Sequence, residues 1–328
     1  MASTKFIIGM RDAFFEELYK LFKSDPTAVF LTADNGAPTL DKFAAEMPDQ
    51  YFQVGIAEQQ LMGMAAGMAI EGRKVYTYAI APFVTQRIAE FVKLDQCAMN
   101  ANIINIGVGA GYSYDIMGPT HHTMEDVALM RCYPNLSIFS PSDASVARQL
   151  APIVHAMKTP GYIRFDRAGI PDLYDDRPLD LAKGIFEARP GTDVCIISTG
   201  RFVYQSMLVA ELLQKQGINA QVLDVVRLKP FPTEEMIRLV SGYTSGGMKP
   251  IVTFEEHFLA GGLGSIVLEI LNDNQPSLMN CRDRYMNPIL RIGQGDRFVF
   301  DLGGREEIWR IYGLDPVSVA TKIEKWLK

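Results

Sequence analysis

Neither sign of charge dominates this chain of 328 residues: 32 lysines and arginines against 38 aspartates and glutamates leave a net −6. That balance gives no global attraction to nucleic acid or to an anionic membrane. Long apolar runs are missing as well. The longest, Leu61 to Ile70, falls far short of the roughly 20 residues needed to cross a bilayer. Residues 1–20 carry acids and no continuous apolar core, so no secretory leader is expected and a soluble, cytoplasmic protein is the default. Cysteine is scarce. Cys97, Cys132, Cys195 and Cys281 lie far apart without a C-x-x-C pair, which predicts reduced, buried thiols rather than a disulfide framework or a zinc site. Low-complexity tracts are absent and 48% of residues are hydrophobic, which excludes disorder as the dominant state.

What is present is alternation. Ala28 to Thr32, Lys74 to Tyr78, Asn102 to Val108, Leu136 to Phe139 and Gly161 to Phe165 read as short buried strands. Between them, Arg11 to Lys23, Ala57 to Glu71, Phe83 to Met99, Met124 to Arg131 and Ser145 to Met157 read as helices. The pattern breaks at Ile170 to Lys183, a polar connection with Pro171 and Pro178. It then restarts with strands at Asp193 to Ser198, Ala220 to Val225 and Pro250 to Glu255. Helices are expected at Phe202 to Gln216, Thr233 to Val240, Gly264 to Leu271 and Pro316 to Leu327. The expected fold class is α/β: two consecutive α/β domains with mostly parallel sheets, residues 1–180 and 181–328.

The most unusual segment is Gly55-Ile56-Ala57-Glu58-Gln59-Gln60, which runs into a small-residue apolar helix. Such a helix packs closely, so Glu58 is expected to be partly desolvated and to favour a proton-sharing form; a first-turn Glu favoured by the helix dipole is the plainer alternative. Asp34 follows the first strand, Phe83 follows the strand at 74–78, and Gly118-Pro119-Thr120-His121-His122 follows the next. Groups just beyond the C-terminal ends of parallel strands are where open α/β sheets bind ligands.

Together, Gly55-Ile56-Ala57-Glu58-Gln59, Gly118-Pro119-Thr120-His121, and Glu255-Glu256-His257 followed by Gly261-Gly262-Leu263-Gly264 resemble the transketolase family. The chain looks like the C-terminal subunit of a split transketolase: a pyrimidine-binding domain followed by a transketolase C-terminal domain. The resemblance implies thiamine diphosphate as cofactor and transfer of a ketol unit between phosphosugars. Glu58 would bond N1′ of the aminopyrimidine and favour the imino tautomer that takes the thiazolium C2 proton. Phe83 would stack on the pyrimidine, and Asp34 and Arg87 would support the cofactor. His121 would approach the substrate carbonyl, as a neutral imidazole able to pass a proton. Arg167 and Arg11 match arginines that bind substrate phosphate, a task suited to a planar bidentate fork. His155 and His257 read as structural, and His122 has no matching role.

Departures matter too. Met117 stands where the family usually has an aspartate that reads substrate hydroxyls, with Asp115 two residues earlier. Gly109 and Pro38 fall where a histidine and a serine bind phosphate. No Gly-Asp-Gly motif is present, Gly295-Asp296-Arg297 being the nearest. The resemblance therefore implies a partner, an N-terminal transketolase-like subunit carrying Gly-Asp-Gly and the Mg²⁺ ligands, in an α2β2 heterotetramer. Open alternatives are a 2-oxoacid dehydrogenase β subunit, a deoxyxylulose-phosphate-synthase-like subunit, and a non-catalytic regulatory subunit.

Overall fold

Strands that are buried on both faces must be covered by helices on both sides, and the near-continuous apolar runs of this sequence do lie inside two layered sheets. The computed structural model describes residues 8–174, 177–241, 249–274 and 289–328; Cys281 and two aspartates of the polar connection, Asp175 and Asp176, lie outside them. The first sheet is built from β1 (Ala28–Thr32), β2 (Tyr51–Gln53), β3 (Lys74–Ile80), β4 (Ile103–Val108), β5 (Ser137–Phe139) and β6 (Gly161–Phe165). The second holds β7 (Ile185–Arg189), β8 (Val194–Ser198), β9 (Ala220–Val225), β11 (Ile251–Phe258) and β12 (Ile289–Gln294). The strand β10 (Arg227–Lys229) comes from the second half of the chain but extends the first sheet. The spatial orders are β10-β5-β6-β4-β3-β1-β2 and β12-β11-β8-β9-β7. All pairs are parallel except two at sheet edges, β7 with β9 and β5 with β10.

Three expectations need correction. The helix expected over Phe83 to Met99 is broken into short helical turns at Ala81–Val84 and Ala89–Phe91 and a π-helix at Val92–Ala98. Thr85 leaves helical geometry while its hydroxyl bonds back to the Ala81 carbonyl at 2.6 Å, the competition with the backbone that hydroxyl side chains offer. The helix Glu58–Ile70, expected to pack closely, does so on one side only. Leu61, Met62, Ala65 and Ala66 enter the core, while Gly63 and Gly67 face outward with nothing within 4 Å. Cys97 and Cys195 are buried free thiols as expected, but Cys132 is exposed, because it follows the short helix Asp126–Met130 on its solvent side. The short strands β2, β7, β10 and β12 and the helices Pro38–Glu46 and Arg305–Tyr312 are additions to the expected elements.

The two halves are joined by buried charge. On β6, Arg164 gives a two-pronged bond to Asp126 (2.8 and 3.2 Å), which also accepts from the Tyr162 hydroxyl at 2.8 Å. His257 on β11 lies 3.9 Å from the same carboxylate. Its Nδ1 bonds the Phe258 carbonyl at 2.7 Å, and burial pushes its pKa down to about 4, so it serves as a neutral linker. Arg305 reaches from the last helical layer to Asp166 (2.6 Å) and to Glu256, whose Oε1 it meets at 3.0 Å.

Asp224 on β9 is enclosed at the same seam and accepts bonds from Ser142 (2.5 Å) and Tyr174 (2.8 Å). Burial raises its pKa from 3.8 to about 7 against the pull of those two donors. The folded chain therefore holds a proton between those values that the unfolded chain has lost, and stability falls as pH rises through that window. Asp224→Asn removes this loss. In urea titrations the variant should gain stability relative to the parent as pH rises from 3.8 to about 7; a constant difference would mean that Asp224 is ionised throughout.

Candidate active site

The C-terminal edge of the first sheet gathers residues from several segments. Glu58 opens the helix Glu58–Ile70, where free backbone N–H groups favour a carboxylate, and is only 3% exposed. The break at Thr85 turns the following chain back so that Arg87 Nη1 lies 3.1 Å from each Glu58 oxygen. A carboxylate taken out of water is held there by a fixed cation. The Arg87 guanidinium also covers the Phe83 ring at 4.0 Å. Phe83 in turn meets His121 edge-to-face, with ring centroids 5.2 Å apart. Glu58, Arg87, Phe83 and His121 are thus one contact chain.

His121 accepts or donates at Nδ1 with Thr120 (2.9 Å). Burial first, and the Arg87 charge second, hold its pKa below the ordinary imidazole value, so it is neutral at neutral pH. On its far side lies Tyr114, 6.1 Å between ring centroids, and the Arg167 guanidinium sits 5.1 Å from the Tyr114 ring. Arg11 arrives from the first helix, donating to the Tyr78 hydroxyl at 3.2 Å and to Asp12 at 2.9 Å. Asn35 donates to the same Tyr78 hydroxyl at 3.1 Å. Asp34 stays exposed beyond β1, accepting from Gln53 at 3.3 Å; its neighbour Asn35 is the residue that turns inward.

Asp115 is fully engaged elsewhere: its oxygens accept the backbone N–H groups of Ile116 (2.7 Å) and Arg305 (2.8 Å). The carboxylate next to Met117 therefore pins a loop to the second half of the chain. His122 is buried between Tyr112 and the Asp115 carbonyl, 3.1 Å from the latter. His155 lies far away, between Tyr76 (2.9 Å) and Asp25 (3.2 Å). Tyr78, Asn35 and Tyr114 were not singled out by the sequence. Tyr78 lies inside a strand that reads as plain core, and only the glycines around Tyr114 hint that its loop is special.

Comparison with known proteins gives the following. The model for the pyrimidine binding domain of transketolase matches residues 7–171, and that for the transketolase C-terminal domain matches residues 184–319. An apulose-4-phosphate transketolase subunit from Phocaeicola vulgatus is 35% identical over 324 residues, covering 98% of each chain. A solved split-gene transketolase, described as an inactive beta4 tetramer, superposes with a TM-score of 0.83 at 30% identity, again over 98% of each chain. The 1-deoxy-D-xylulose-5-phosphate synthase of Caldanaerobacter subterraneus subsp. tengcongensis is 32% identical over 315 residues; the chain spans 48% of its length.

The Glu58–Arg87 pair can be tested as a unit. Arg87→Met leaves a carboxylate that is almost wholly buried without its cation. Because the Arg87 side chain is 41% exposed, solvent screens part of the loss, and a cost of about 1–3 kcal/mol is expected. Glu58→Gln in the same chain should recover most of it. Purely additive losses in a double-mutant cycle of chemical denaturation would show that the two side chains are not coupled.

Proposed function

The chain belongs to the transketolase family, and we propose that it is the second subunit of a split, thiamine-diphosphate-dependent enzyme that moves a ketol unit between phosphosugars together with a partner chain. The observation that carries this reading is the contact chain Glu58–Arg87–Phe83–His121 at the strand ends. It offers a buried carboxylate, an aromatic face and a neutral imidazole within one site.

That set fits the aminopyrimidine half of the cofactor. Among the described residues no group of three or more His, Cys, Asp or Glu side chains could hold a metal ion. We assign Mg²⁺ and the diphosphate to a partner's Gly-Asp-Gly segment, in an α2β2 assembly, on the ground that this sequence lacks the motif. The open flank supports this: Ile56 beside Glu58 is 74% exposed, and Ile116 and Met117 beside His121 are 70% and 50% exposed. Apolar groups ringing a polar site favour burial by another surface. The outward glycines Gly63 and Gly67 leave room for a close helix contact.

When bound, thiamine diphosphate supplies the carbon nucleophile that breaks and makes the carbon–carbon bond. The chain's own residues bind and move protons around it. A carboxylate has about four lone-pair sites, so Glu58 can accept a ring N–H beside its contact with Arg87. Phe83 offers the stacking face, and Asp34, exposed beyond β1, would support the cofactor from outside. His121, held neutral, can give or take a proton at the substrate oxygen. Arg11 and Arg167 hold the substrate phosphate. A synthase-like reading keeps the same residues; carbon dioxide release from pyruvate with a triose phosphate acceptor would favour it.

The isolated chain is expected to bind thiamine diphosphate weakly in calorimetry, and the partner should restore tight, Mg²⁺-dependent binding. Tight binding to the pure chain would sink the split-site reading. In the reconstituted complex Glu58→Gln should leave assembly intact and slow transfer by about 10²–10⁴-fold, the scale of one acid–base group. An unchanged rate would reduce Glu58 to a partner of Arg87.

A further inference from the structure

Tyr114 occupies a place that the backbone has cleared for it. Gly109 sits at φ +101°, and a side chain there would meet Tyr114 Cε2 at 2.3 Å and Cδ2 at 2.5 Å. Only glycine lets the ring lie down on this turn. The loop that carries it is tied on both sides: Ser113 bonds the Ala110 carbonyl at 2.7 Å, Gly111 and Thr123 form a bridge, and Asp115 caps the backbone of Arg305. The ring is therefore fixed, whereas the Arg167 guanidinium beside it belongs to an exposed residue. Asn35 reaches the phenol, and the charges of Arg167 and Arg11 both bear on it.

We propose that Tyr114 is the specificity-determining wall of the site. Its ring lies 6.1 Å from the His121 ring at the reacting end and 5.1 Å from the Arg167 guanidinium, which it holds by a cation–π contact in the subsite shared with Arg11. The proposal rests on the ketol-transfer reading above, which already gives the anionic end of the substrate to Arg11 and Arg167, and adds that Tyr114 fixes Arg167 relative to the reacting end. A phosphate monoester and a sulfonate share this chemistry. They differ in charge, since a phosphate ester gains its second negative charge near pH ~6 and a sulfonate stays singly charged.

Arg11, Arg167, Tyr114 and Asn35 all belong to this chain, so the full-length chain without its partner can be titrated directly. Glycerol 3-phosphate, 2,3-dihydroxypropane-1-sulfonate and, as a neutral control, glycerol serve as probes in calorimetry or NMR. The parent chain should bind at least one of the two anions and not glycerol. Tyr114→Leu, which keeps apolar packing on Gly109 but lacks a π face, should weaken that binding about tenfold, and Tyr114→Phe should stay within about threefold of the parent. Gly109→Ala, which displaces the ring, should reproduce the Leu variant and guards against a folding defect peculiar to position 114. Tighter binding of the phosphate as pH rises through its second ionisation assigns the subsite to phosphate esters; a pH-independent preference for the sulfonate assigns it to sulfonates. Binding in Tyr114→Leu equal to the parent's overturns the role of Tyr114 and leaves the arginine subsite standing. A parent chain that binds neither anion overturns the subsite and the proposal together.

Discussion

The site hangs from one buried cation. Arg305 is enclosed between Asp166 at the end of β6 and Glu256 on β11, and it also reaches the Ala110 carbonyl at 3.4 Å. Burial alone would lower its pKa, but the two carboxylates outweigh that and raise it; in return, Arg305 and Arg201 hold Asp166 below the ordinary carboxylate value. A charge network of this kind is costly unless every member is paired. Its geometry is therefore specified, and with it the position of the second half of the chain against the loop 110–122. Both Tyr114 and His121 belong to that loop.

This gives the second domain a physical role beside a candidate site whose residues in this chain all come from the first. Glu256 also accepts the Trp309 indole N–H at 2.5 Å, and a side chain at Gly111 would collide with Glu256 at 1.9 Å. The close approach needs glycine there. The second domain thus acts as a clamp on the loop 110–122. Ile116 and Met117 of the same loop stay exposed.

Much of this was legible in residue order. Buried strands announced themselves as β-branched runs, and β1, β6 and β9 have the expected bounds. Glu58 stood out because a carboxylate heads a helix of small apolar residues, and His121 because it ends a Gly-Pro turn. Short edge strands such as β7 and β12 were not legible, since a strand with one paired neighbour needs little apolar periodicity. The broken helix after Phe83 escaped for a related reason: helical periodicity persists across it, and only the bond from Thr85 back to Ala81 shows that the chain turns.

The sequence by itself determined the alternation, the two domains' worth of apolar strands and the identity of the carboxylate, imidazole and arginines available for chemistry, because these depend on local pattern and residue type. Tertiary structure alone decided their pairing. Arg87 neutralises Glu58 from 29 residues away, Asp115 is taken up by Arg305 across 190 residues, and Tyr114 reaches the arginines because Gly109 yields its space. Charges and rings act over a few ångströms, and chain separation says nothing about such distances until the sheets have packed.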